Sequence, residues 1–385
     1  MKALQQRHPA VPPSHAAARI LEKSTMRRFL EELMALGEVY APVEKAPGSF
    51  ALPRIGGAGE VAFGCRRTIG SPKKLVLPFQ ETMFSFSPDG YQSAFLQREQ
   101  ACERPEGAGA GPMLQVVTGG APTRKRTILF GAHPCDIHAF QFLDLVFGGR
   151  YVEPRYFARR HSLAIIGVDC LPDDKCFCTS TGTSFTEKGF DLFLSDLGED
   201  YLVRVGSAFG DRMLRSVSAL LRGVSGREVR LYKERSRARK EALSEKVELS
   251  DLPSMFELEY ESPLWQELGE KCIGCGACSA VCPTCYCYDM LDLLDLDSKG
   301  GPRGTRERRW DSCLFKSFAQ VAGGHDFRAH RSGRIKHRFY HKQVASVKEF
   351  GRPACVGCGR CLEACPAGVN AMEVLRAVQG GRVRV

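Results

Sequence analysis

One run of cysteines limits what this chain can fold around more than any other feature: Cys272-x2-Cys275-x2-Cys278-x3-Cys282-Pro283, which returns as Cys355-x2-Cys358-x2-Cys361-x3-Cys365-Pro366. Three thiolates at such intervals wrap a tight loop round one face of an iron–sulfur cubane, and the fourth reaches the neighbouring cluster. By that rule Cys272, Cys275, Cys278 and Cys365 hold one 4Fe–4S cluster, and Cys355, Cys358, Cys361 and Cys282 hold a second. Gly274, Gly276, Gly357 and Gly359 let the backbone curl close, so that its amides can donate to the sulfurs. Zinc ribbons space their ligands as two separated C-x2-C pairs and do not end on Cys-Pro, so the pattern speaks against zinc.

Seventeen cysteines in a chain whose first residues, Met1 to Lys23, lack the apolar stretch of an export signal argue for metal chemistry rather than a disulfide framework. A cytoplasmic location is the matching expectation. With 43% apolar and 25% charged residues the chain is of ordinary globular composition, and 385 residues suit two or three domains. Its longest apolar runs, Thr127 to Ala132 and Leu163 to Val168, are far too short to span a membrane.

Four segments follow. Residues 1–23 read as a flexible leader. Residues 24–225 read as an α+β or α/β domain, beginning with an amphipathic helix over 24–37 in which Phe29, Leu30, Leu33 and Met34 share a face. Short apolar runs at Val39 to Pro42, Leu75 to Leu77, Leu114 to Val117, Thr127 to Phe130, Leu163 to Val168, Asp191 to Leu194 and Tyr201 to Val205 read as strand-like, and Asp136 to Phe147 as a helix. Residues 226–252 are highly charged and read as a solvated connecting helix. Residues 253–385 hold the cysteine motifs, and the 73 positions from Cys282 to Cys355 are long for a ferredoxin of short hairpins. Helix-like stretches at Asp311 to Val321 and Gln343 to Phe350 favour an α-helical ferredoxin domain there.

A weaker constellation comprises Cys135, in Gly131-Ala-His-Pro-Cys-Asp136, with Cys170, Cys176 and Cys178. Cys135 and Cys170 each end an apolar run, and adjacent strand ends would bring them to one edge of a sheet. A third cluster or a redox-active thiol pair fits this, as do small buried cysteines at strand ends. Cys285, Cys287 and Cys313 are alternatives for an additional site or for lining the first motif's pocket. Cys65 and Cys102 are isolated and read as inert.

No Ser/His/Asp triad, phosphate loop or dinucleotide fingerprint is present. His325, Asp326, His330, His337 and His341 lie in an arginine-rich setting that suits solvated electrostatic roles over metal binding. Between Lys299 and Lys342 twelve Lys plus Arg face three Asp plus Glu, which carries most of the chain's net +10. Such a face steers an acidic partner, a ferredoxin for example. Nucleic acid would be drawn by the same charge, but no base-stacking aromatics interleave the arginine run.

Several blocks together resemble the beta subunit of cytoplasmic sulfhydrogenases and, in kind, the A subunit of anaerobic sulfite reductases. They are Ser71-Pro-Lys-Lys-Leu-Val-Leu-Pro78, Pro134-Cys-Asp136 followed by Leu143-Asp-Leu-Val-Phe147, Cys176-Phe-Cys178, Cys282-Pro-Thr-Cys-Tyr-Cys287, Trp310-Asp-Ser-Cys313, Val321-Ala-Gly-Gly-His325 and Cys355-Val-Gly-Cys-Gly-Arg-Cys361. The resemblance implies a non-catalytic subunit relaying single electrons between a flavin-containing, nicotinamide-reacting gamma-type subunit and a hydrogenase or sulfite-reductase catalytic subunit. On that reading FAD belongs to the partner. A catalytic FAD-binding iron–sulfur oxidoreductase and a nucleic-acid-binding iron–sulfur protein are the alternatives.

Overall fold

The computed structural model describes residues 18–87, 90–92, 126–170, 173–242, 247–295 and 303–380. The strand expected at Leu114 to Val117, Cys102 and the first 17 residues lie outside them. Among the described residues, eleven strands precede the motifs: β1 (Arg19–Glu22), β2 (Gly37–Tyr40), β3 (Val43–Ala46), β4 (Ser49–Ala51), β5 (Gln80–Ser87), β6 (Gly90–Gln92), β7 (Arg126–Ala132), β8 (Leu163–Val168), β9 (Leu192–Asp196), β10 (Asp200–Val205) and β11 (Leu221–Arg222). Seven of them form one sheet in the order β11-β1-β10-β9-β8-β7-β2, parallel from β2 to β9 and antiparallel beyond.

Alternation along the central strands builds a core on each face of this sheet. Ile128, Phe130, Ala164 and Ile166 point to one side, where helix α1 (Met26–Leu36) packs Phe29, Leu30 and Leu33 against them and α4 (Ala208–Ser216) adds Met213 and Leu214. Leu129, Leu163 and Ile165 point to the other, against Ile137, Phe140 and Leu143 of α2 (Pro134–Phe147) and Tyr156 of α3 (Pro154–Ser162). Residues 19–22, expected to belong to a flexible leader, instead form β1, with Ile20 and Leu21 wholly buried. Leu75 to Leu77 forms no strand: Pro72–Leu75 is a single 3-10 turn, which a proline at its first position favours.

Helix α5 (Gly226–Glu241) is less solvated than its composition suggests. Leu231 and Tyr232 pack on Ile20, Leu197 and Leu202, and Arg239 is ion-paired with Asp169.

The motif region is carried by short helices: α6 (Leu252–Leu258), α7 (Leu264–Lys271), α8 (Ala277–Ala280), α9 (Arg331–Tyr340), α10 (Ser346–Phe350), α11 (Arg360–Glu363) and α12 (Ala371–Val378). Phe256, Trp265, Leu268, Ile335, Phe339 and Leu375 make its core. A long hairpin, β12 (Tyr288–Asp295) and β13 (Arg303–Trp310), also lies between the motifs, so helices do not fill the whole gap. It joins β5 and β6 in a sheet of order β12-β13-β5-β6. The helix expected over Asp311 to Val321 shrinks to the 3-10 turn Ser317–Ala319, because Cys313 and Leu314 turn inward and the Ser312 hydroxyl accepts from the Leu314 amide. Among the described residues no helix is long and apolar enough to cross a membrane.

Candidate iron–sulfur site

Each motif loop is shaped by two glycines at positive φ, Gly274 and Gly276 in the first and Gly357 and Gly359 in the second, followed at once by α8 or α11. At Gly357 and Gly359 a second constraint applies. A methyl group on Gly357 would stand 2.6 Å from the Phe177 and Cys178 backbone, and one on Gly359 the same distance from the Lys175 carbonyl. The Lys175 to Cys178 loop is thus pressed onto the second motif, fixed there by the Phe177 amide donating to the Gly357 carbonyl at 2.9 Å and the Thr183 hydroxyl donating to that of Val356 at 2.7 Å.

The two motifs meet. One pocket is lined by Cys272, Cys275 and Cys278 of the first run and by Cys365, and Cys361, of the second. Ile273, Leu314, Ile335 and Phe339 make its wall apolar, and the Val369 amide donates to the Cys365 sulfur at 3.3 Å. Cys355, Cys358 and Cys361 all feel the charge of Cys282. Burial raises the thiols of Cys278 and Cys358 and takes Cys355 up to about 11. Such thiols ionise when iron takes the place of the proton.

Among the described residues no three His, Cys, Asp or Glu side chains converge closely enough for a single metal ion. Thiolates round a multi-iron core stand further apart than the ligands of one ion, so two adjoining cysteine runs, positive-φ glycines and a largely apolar pocket fit a cubane.

Buried cations surround the sulfurs, and none was singled out from the sequence. Arg338 lines the cavity, and its Nη1 lies 3.9 Å from the Cys285 sulfur. Burial would lower Lys342, but Cys282 and Cys285 raise it overall, and its Nζ donates to Thr284 Oγ1 at 2.9 Å. Lys73 donates to the carbonyls of Ser279 and Cys285 at 3.2 and 2.9 Å, its ammonium 4.1 Å from the Trp310 ring centre. A usable signal existed: Arg334, Ile335, Arg338 and Phe339 recur at helical spacing, so the arginines share the apolar stripe.

Cys135, Cys176 and Cys178 come together beside Cys358, packed with Ala139 and Val356. Cys135 and Cys170 follow the adjacent parallel strands β7 and β8, the strand-end arrangement the sequence suggested, and Cys170 is raised to about 12 by burial. Arg67 donates to Cys176 at 3.5 Å and pairs with Asp173. Arg360, two residues after Cys358, reaches Asp136 with both Nη atoms at 2.7 and 3.2 Å and Thr68 O with Nε at 3.0 Å. Cys65 is buried and raised to about 11 by burial, in keeping with an unreactive thiol.

The histidines are scattered, except that His337 and His341 stack one turn apart. His341 is not solvated: it shares a 3.0 Å hydrogen bond with the Tyr286 hydroxyl and is lowered to about 4 by burial. Within the β12–β13 hairpin the basic charge is largely matched. Arg306 pairs with Asp292, Arg309 with Glu307, and the buried Arg308 with Glu81 and Glu153.

Residues 271–369 match a 4Fe–4S dicluster domain family. The sulfhydrogenase 2 subunit beta of Pyrococcus furiosus is 34% identical over 355 residues, which span 92% of this chain and 96% of that protein. A likeness of that extent, together with the crossed motifs, makes this chain a member of the sulfhydrogenase beta-subunit family and an iron–sulfur electron-transfer subunit.

Proposed function

We propose that the chain relays single electrons through two 4Fe–4S clusters, one held by Cys272, Cys275, Cys278 and Cys365 and the other by Cys355, Cys358, Cys361 and Cys282. The observation that carries this is the crossing of the motifs, with Cys365 meeting the first run in one cavity. When bound, each cluster supplies a site that accepts and returns one electron.

The chain's own residues prepare that site. Leu314, Ile335 and Phe339 give the first cavity a buried apolar wall, and the Val369 amide donates to a ligand sulfur. Arg338 sets a fixed positive charge beside both quartets, since Cys278, Cys282 and Cys361 all act on it, and so favours the reduced state of either centre. No proton-moving or bond-making residue is required.

The neighbouring partners are a gamma-type flavoprotein subunit on one side and a hydrogenase, sulfur-reductase or sulfite-reductase catalytic subunit on the other, with an acidic ferredoxin as a further donor. FAD resides in the flavoprotein and not here, the ferredoxin domain is of the α-helical kind, and the complex works in the cytoplasm.

Anaerobic iron, acid-labile sulfide and flavin analysis of the purified chain tests the reading. At least about eight irons, no flavin and an EPR signal on reduction are expected, with about four irons lost in Cys275→Ser and in Cys358→Ser. Unchanged iron in these variants defeats the ligand assignment, and stoichiometric flavin moves the chain toward a catalytic flavoprotein.

A further inference from the structure

A second cavity shares Arg338 with the first. Its wall carries Cys285, Cys287 and Cys313, none of which belongs to the two quartets, and also His341 and Lys342. Two short stretches deliver these sulfurs: Cys285 and Cys287 lie just past the first motif, and Cys313 just past β13, where the Asp311 amide donates to the Cys287 carbonyl at 3.0 Å.

Charge is the second observation. Arg338, Lys342 and Lys73 gather round these sulfurs, and none of the three pairs with a carboxylate among the described residues. The negative charge that acts on Arg338 and Lys342 comes from sulfurs, Cys285 as well as the motif cysteines Cys278, Cys282 and Cys361, so the pocket suits thiolates. The surroundings of Cys135, Cys170, Cys176 and Cys178 differ. The cations there, Arg67 and Arg360, are matched by Asp173 and Asp136.

We infer that Cys285, Cys287 and Cys313 anchor a third iron–sulfur centre in this cavity, with His341 as the remaining donor on its wall. Thiolates bound to an iron–sulfide core add negative charge where these three cations gather. A lone zinc ion suits the place less well, since no three potential ligands there converge on one point among the described residues. The centre would lie beside both quartets, because Arg338 also lines the first cavity and Lys342 feels Cys355 as well as Cys285.

The inference adds to the two-cluster reading, and the same measurement separates them. The full chain, reconstituted anaerobically with ferrous iron and sulfide, is expected to hold about twelve irons, falling to about eight in Cys287→Ser and in Cys313→Ser with the other two clusters' EPR signals retained. About eight irons in the wild-type chain would overturn the third centre and spare the two-cluster reading, and fewer would overturn both. Twelve irons that persist in both variants, or that fall only in Cys135→Ser or Cys176→Ser, would also overturn it. Should the serine variants fail to fold, Mössbauer spectra of the wild-type chain decide: intensity for two cubanes only, or a zinc ion bound in place of the additional iron, refutes the proposal.

Discussion

Arg360 sits between two motif cysteines, yet its guanidinium is spent on Asp136 at the start of α2, with both groups almost wholly buried. Removing one partner of such a pair leaves an uncompensated buried charge, so Asp136→Ala should cost about 3–5 kcal/mol in chemical denaturation, whereas a surface pair such as Arg306 with Asp292 is worth no more than about 1 kcal/mol. Equal losses in Asp136→Ala and Asp292→Ala would contradict this ranking. Beside the same pair, burial lowers His133 to about 4. The unfolded chain, with an ordinary imidazole near 6.5, then binds more protons than the folded one between pH about 6.5 and 4. Stability is therefore full above that window and declines as pH falls through it, by about 3 kcal/mol for this group. Urea titrations at several pH values, compared with His133→Gln, should show the variant's slope reduced by about one proton. At this scale the eight motif cysteines were legible because their spacing is local and their chemistry narrow. The cations were not, because an arginine or lysine in a charged stretch reads as solvated until the fold shows that Arg338 and Arg360 are buried.

Parallel strands at the centre of the sheet were legible as apolar runs, and α1 and α2 as periodic ones, since burial on both faces or on one writes directly into composition. The β12–β13 hairpin was not. Its inner strand reads Arg-Gly-Thr-Arg-Glu-Arg-Arg-Trp, and what it buries are Glu307 and Arg308, which satisfy one another's neighbours across β5: Gln80 on Glu307, and Glu81 on Arg308. Alternation of apolar with polar cannot flag a strand whose buried side chains are charged. The Lys175 to Cys178 loop is another such element, pressed onto the second motif at glycines whose need shows only in three dimensions. Gly357→Ala meets both a positive φ and a backbone contact at 2.6 Å, whereas Gly351→Ala meets a positive φ with open space. The latter should cost about 1–2 kcal/mol, and the former clearly more. Thermal melts of the two variants, with iron retention as a second readout, check this; similar melts would mean that the loop yields easily.

The sequence suggested two halves joined by a solvated connector near residue 250, but several contacts bind the halves to each other. β5 from the first half pairs with β13 from the second, Arg308 against Glu81. Asp136 and Arg360 close a buried ion pair, and the Phe177 amide bonds to Gly357. Lys73, from the first half, reaches the carbonyl of Cys285 in the second. Each motif region is therefore completed by residues more than 150 positions away, and the metal-bearing half has no separate surface at which to part from the sheet. Units coupled through buried charge and shared strands unfold together, because parting them would break the β5–β13 ladder and split the buried Asp136–Arg360 pair, stranding whichever partner stays buried. Anaerobic calorimetry of the iron-loaded chain should accordingly give a single transition, with iron released at the same temperature at which the sheet melts by circular dichroism. Two separated transitions, with the sheet outlasting iron loss, would show that the halves are independent domains. Asp136→Ala provides the internal test: if these contacts are the coupling, cutting one should broaden or split the transition as well as lower it, while Asp292→Ala, confined to the hairpin, should leave its shape unaltered.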